Sequence, residues 1–108
     1  MEYLIIEVPD MNDSMSRVIL DEKYYQVRFT YNDTMDYWSF GLYDDRSNPI
    51  IIGLKIVPNS PIGLFLGAKK LPGLFMALSS LNKIGRYDFL TGDAVFIFKA
   101  LSEESESE

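Results

Sequence analysis

From Tyr25 to Tyr31 the chain alternates without a break: Tyr25, Val27, Phe29 and Tyr31 are large and apolar or aromatic, and Gln26, Arg28 and Thr30 between them are polar. Successive side chains of a strand point to opposite faces, so this period of two predicts a strand with one buried face. Asn32 to Asp36 follow as a turn cluster whose Asx side chains can bond their own backbone. The chain should reverse there, and Tyr37 to Tyr43 returns with Trp38, Phe40 and Leu42 on one face and Tyr37, Ser39 and Tyr43 on the other.

The flanking segments extend the pattern. Tyr3 to Val8 is a short apolar run closed by Pro9, which cannot donate to a ladder and suits a strand end. Asp10 to Ser14 is a polar loop, Ser16 to Leu20 a strand, and Asp21 to Lys23 a tight connection. Asp44 to Pro49 is a second turn-rich loop. Ile50 to Val57 is apolar on both faces, which predicts a strand covered on both sides at the centre of the core. Pro58 to Gly73 is the least legible stretch, with three prolines and three glycines around Ile62, Leu64, Phe65 and Leu66, and within it Pro61 to Gly67 is not expected to form a regular element. Leu74 to Leu81 fits either a strand or a short helix and is taken as a strand. Gly85 to Gly92 is a loop with room for one helical turn, and Asp93 to Leu101 is a final strand carrying Val95, Phe96, Ile97 and Phe98. Short strands at near-regular spacing predict an all-β fold, a small antiparallel β-barrel or β-sandwich of about seven to eight strands.

With 108 residues the chain is expected to form one domain, residues 1–101. Ser102 to Glu108 is serine and glutamate alone and should be a disordered acidic tail. Four of the sixteen acids lie in it, which leaves twelve acids against ten bases and a nearly neutral body. There is no cysteine and no histidine, so thiol chemistry, disulfides, the commonest general base and the commonest transition-metal ligand are excluded. The glycines make no phosphate-binding fingerprint. Lys69 with Lys70 is the only local basic cluster, so nucleic acid is not an expected partner. No apolar run approaches the ~20 residues that cross a bilayer, and Met1 leads into Glu2, Tyr3 and Leu4 without the basic start of a secretory signal. The expectation is a cytoplasmic protein without membrane, cofactor or metal.

Paired carboxylates exist at Asp33 and Asp36 and at Asp44 and Asp45, but turns favour Asp for local hydrogen bonding, and Asp44, Asp45 and Asn48 lack the spacing of an EF-hand loop. No enzyme is expected. Trp38 shares a strand face with Phe40 and Leu42 and should be core. Tyr24, Tyr37 and Tyr43 on outward faces are candidates for recognition. In Pro61 to Gly67, Ile62, Leu64, Phe65 and Leu66 either fold over one end of the domain or form an exposed apolar patch that serves as an interface.

The run from Val18 to Val57 resembles a family of small tailed-phage proteins, the cyanophage-type baseplate plugs. The shared order is Val18-Ile-Leu-Asp, Tyr24-Tyr-Gln-Val-Arg-Phe-Thr-Tyr-Asn, Tyr37-Trp-Ser-Phe-Gly-Leu-Tyr-Asp, Asn48-Pro-Ile, Gly53 and Val57, with Pro72-Gly73 and Asp88 following in order. Glu22 stands where the family usually has a turn glycine, and Ser47 with Asn48 where Asp-Gly is common; the acidic tail is not explained. The resemblance implies a non-enzymatic virion component, assembled in the host cytoplasm and packed at the centre of the baseplate against the tail hub or tube initiator, with homo-oligomerisation open. A carbohydrate-binding or host-recognition module is the alternative, and an enzyme ranks third.

Overall fold

The computed structural model describes residues 3–62, 65–66 and 69–100. Within them the regular structure is nearly all strand: β1 (Leu4–Ile6), β2 (Asp13–Leu20), β3 (Lys23–Asn32), β4 (Tyr37–Asp44), β5 (Pro49–Lys55), β6 (Phe65–Leu66), β7 (Lys69–Lys70), β8 (Gly73–Ser79), the single helical turn α1 (Asp88–Thr91) and β9 (Ala94–Ala100). The expected strand at Leu74 to Leu81 and the helical turn inside Gly85 to Gly92 are both present. Leu64 and the tail from Ser102 to Glu108 lie outside the described residues.

The strands make two main antiparallel sheets, one in the order β2-β3-β4-β5 and the other β1-β9-β8, with a small β6-β7 hairpin besides. The alternating segment runs in register from Asp13↔Thr30 to Leu20↔Lys23 on one side and from Tyr25↔Asp44 to Asn32↔Tyr37 on the other. Its inward residues Val27 and Phe29 are fully buried. The two sheets meet through aromatic rings. Phe29 of β3 sits edge-on to Phe96 of β9, centroids 5.0 Å apart. Phe40 of β4 contacts both Phe75 of β8 at 4.9 Å and Phe96 at 5.1 Å. Such tilted and edge-to-face pairs are worth about 0.5–1.5 kcal/mol each beyond the area they bury. Trp38 is a core residue as expected, with its Nε1 donating to the Gly85 carbonyl at 3.1 Å.

Turn chemistry explains the reversals. Asp21 and Glu22 both have positive φ, at 54° and 69°, the signature of a two-residue type I′ turn whose twist matches its flanking strands. At the next reversal the Asn32 side chain accepts from Thr34 N and Met35 N. Asp44 accepts from the backbone amides of Arg46 and Asn48 and from the Asn48 side chain, so its carboxylate is committed to the turn.

Three expectations need correction. Ile50 to Val57 is not the centre of the core: β5 is the edge of its sheet, and Ile52 is 62% exposed. The pairs Leu42↔Ile51 and Phe40↔Leu54 set three steps of β5 against two of β4. Gly53, at φ 67°, takes up the extra residue as a bulge. The bulge breaks the alternation, so a run of consecutive apolar residues reflects a shift of faces rather than cover on both. The segment from Pro61 to Gly67 does hold regular structure, the strand β6 of the β6-β7 hairpin and an isolated bridge of Ile62 to Phe75. Asp13 and Ser14 belong to β2 rather than to a loop, because Asp13 accepts a two-pronged bond from Arg28 on the neighbouring strand, at 2.9 and 2.7 Å.

Candidate functional site

Both sheets end in edges, and the two sides of the molecule treat them differently. On one side the chain leaves β5 and crosses to β8. Ile56 N donates to Trp38 O at 2.8 Å, Asn59 N to Ala77 O at 2.7 Å, and Ile62 exchanges bonds with Phe75 at 2.7 and 3.2 Å. The Asn59 side chain adds a clamp, donating to Ser79 O at 2.7 Å and accepting from Ser79 N at 3.2 Å. Asn59 has φ 62°, a left-handed conformation that asparagine tolerates better than most residues.

On the other side β1 and β2 are the outer strands of their sheets and do not pair with each other. A groove of about 570 Å³ lies between them, walled by Ile5 and Ile6 of β1, by Ser16, Val18 and Ile19 of β2, and by Tyr24. Ile5 is 63% and Ile19 55% exposed, and Leu4, Met15 and Tyr24 are exposed as well. This is an apolar surface with polar residues at its rim, the composition that marks contact sites on protein surfaces. The segment between β1 and β2 is held by Arg86, whose guanidinium bonds Asp10 at 3.0 Å and Asn12 at 2.5 Å and lies 5.7 Å from the Trp38 ring centroid.

The charged groups nearby act structurally. The Arg28 bond holds the Asp13 carboxyl below its ordinary value, and Asp13 and then the Tyr43 hydroxyl raise the Arg28 guanidinium above its own. The bond from Tyr31 to Asp36 pushes the phenol up to about 12 and, with Lys83 at 3.1 Å, lowers the Asp36 carboxyl. Among the described residues no group of three acids converges to hold a metal ion.

A family model described as cyanophage baseplate Pam3 plug gp18 matches residues 1–100. The chain belongs to that family. Comparison with the curated proteins finds no match.

Within this member of the plug family the expected recognition residues are scattered. Tyr24 lines the groove with the Arg17 guanidinium 4.5 Å from its ring centroid. Tyr37 lies on the same outer sheet face, half-buried, with Lys55 Nζ at 5.1 Å. Tyr43 is not free: it is only 9% exposed. Its ring lies against Gly41, where an added Cβ would lie 3.3 Å from it. Ile62 packs against the core and closes the opposite side, while Phe65 and Leu66 form one strand of the small hairpin. Sequence reasoning missed Leu4, Ile5, Met15 and Ile19. A signal was present for two of them, since Met15 and Ile19 must face outward on β2 once Leu20 faces in.

Proposed function

We propose that this chain is a structural, non-enzymatic component of a phage tail baseplate, located in the virion tail and contacting other baseplate proteins. The observation that carries this reading is the family match over residues 1–100. The finer part of the proposal is that residues 1–101 act as one folded unit, assembled in the host cytoplasm, that packs at the baseplate centre against the tail hub or tube initiator. The segment Pro61 to Gly67, with Leu64 and Phe65, is the surface proposed for that contact; Tyr24 and Tyr37 are secondary candidates. The absence of histidine and cysteine and the committed carboxylates at Asp36 and Asp44 support a non-catalytic role.

Density-purified particles from a phage encoding the chain test the reading. Mass spectrometry should find the chain at fixed stoichiometry with the tail proteins, and electron cryomicroscopy should place it at the baseplate centre. A chain absent from intact tails contradicts the proposal. Leu64→Asp with Phe65→Lys should remove the chain from particles without altering its melting curve, and normal incorporation would reassign the hub-facing surface.

A further inference from the structure

The far edge of β2 carries a complete row of pairing groups. Asn12 O accepts from Tyr31 N at 2.7 Å, and the β2-β3 register continues unbroken from there. Hydrogen-bonded and non-hydrogen-bonded pairs alternate in an antiparallel ladder. Ser14, Ser16, Val18 and Leu20 therefore turn their main-chain groups toward β3, and Asp13, Met15, Arg17 and Ile19 turn theirs away. Among the described residues no strand pairs with that side. Long free edges are templates for further pairing unless they are blunted by a bulge, a proline, a lysine or a covering loop. The other edges are blunted: β5 by its bulge, β8 by Asn59 to Ile62, and β1 by its three-residue length and nearby Pro9. β2 has eight residues without bulge, proline, lysine or covering loop, and its two charges, Asp13 and Arg17, are of opposite sign.

We propose that a second copy of this chain pairs with β2 in antiparallel fashion about a twofold axis at Met15, joining the two four-stranded sheets into one. The chemistry of the edge selects this register. Asp13 then faces Arg17 of the second copy, Met15 faces its own mate, and Ser14 faces Ser16. Arg17 has no carboxylate partner among the described residues, and Asp13, with its bonds from Arg28 and Thr30 in place, keeps one acceptor site on Oδ2 for a second guanidinium. Ser14 Oγ is buried and has no hydrogen-bond partner, which is a costly state that a facing hydroxyl would relieve. Met15, an exposed apolar side chain at the axis, would be covered. Moving the axis to Ser16 sets Arg17 against Met15, and moving it to Arg17 sets two guanidiniums face to face. Only the Met15 register satisfies both the charges and the serines. The outward groups of Asp13, Met15 and Arg17 are also the ones such a pairing bonds.

The pairing goes beyond the baseplate role and does not depend on it, since a chain absent from particles can still dimerise. The test uses the full chain in sedimentation equilibrium from roughly 1 µM to 1 mM, the range of weak to moderate association. A mass rising to twice that of the chain is expected. Arg17→Asp should weaken association at least ~10-fold through like charges facing across the axis. Met15→Pro should abolish it while leaving the β2-β3 ladder intact, because that amide points away from β3. The chain has no cysteine, so Met15→Cys reports the register. Directly bonded pairs have Cα atoms about 5.5 Å apart, a span that a disulfide bridges. Met15→Cys should cross-link to a covalent dimer under mild oxidation, and Ile19→Cys should not. A monomer throughout the range overturns the proposal, as does equal cross-linking at both positions. A monomer whose Met15 and Arg17 amides become protected only on adding tail-hub protein also overturns it and assigns the edge to a foreign strand.

Discussion

Along one side of the molecule the chain stitches its own sheets together, from Ile56 on β4 to Ile62 on β8; along the other, β1 and β2 leave a groove lined by Ile5 and Ile19. The same residue type is used to opposite ends. Ile56 and Ile51 are 5% exposed, whereas Ile5 and Ile19 are more than half exposed. What separates them is main-chain pairing. The closed side spends its backbone donors and acceptors on the fold, and the open side keeps them for something else. Main-chain stability should therefore be concentrated at the closed side, and free strand-pairing groups at the open one.

The largest expected effect lies at Trp38, whose carbonyl receives Ile56 and whose indole reaches Gly85. Trp38→Ala should destabilise the fold by about 3–5 kcal/mol in urea unfolding; a mutant that unfolds like the parent would place the strength elsewhere. Two neighbours on β2 make the same contrast at the open side. Leu20 is fully buried and Ile19 is exposed. Leu20→Ala should cost about 2–5 kcal/mol, and Ile19→Ser should stay within about 0.5 kcal/mol of the parent. Similar losses at both positions would mean that the groove is part of the core.

Asn59→Gly is the sharper probe of the closed side, because glycine accepts the positive φ and only the clamp on Ser79 is lost. A loss of about 1–2 kcal/mol is expected for the two bonds, and no change would show that the side chain is ornamental. The smallest effect is the response to acid. The carboxyls of Asp13, Asp36 and Asp44 all lie below their ordinary value of 3.8 in the folded chain. A lowered folded pKa gives stability that is present above the unfolded value and is lost as pH falls through the folded one. Melting curves should therefore lose stability from these groups only below about pH 4, and modestly, because exposed ion pairs are weak. Asp44→Asn should flatten part of that slope.

Local pattern carried the sequence reading as far as pattern can go. The β3-β4 hairpin was legible because Val27, Phe29, Trp38, Phe40 and Leu42 alternate with residues on the outer face. β5 was misplaced because the bulge at Gly53 changes faces without changing composition. Tyr43 followed the alternation faithfully, yet it is covered, and its ring occupies space beside Gly41 that a larger residue there would contest. The alternation placed Met15 and Ile19 on the outer face of β2, but that β2 is an open edge was not legible. Whether β2 is an edge depends on which strands pair across the whole chain, and Ile19 looks the same in sequence whether it meets a neighbour or solvent.

Residue-resolved amide exchange on a dilute sample tests the difference between the two sides most directly. The amides of Asn59, Ile62 and Phe75, all donors across the closed side, should exchange slowly, on the scale set by global unfolding. Those of Met15, Arg17 and Ile19 should exchange quickly at low concentration. Slow exchange at Met15 and Arg17 in the dilute monomer, or fast exchange at Ile62 and Phe75, would contradict the account.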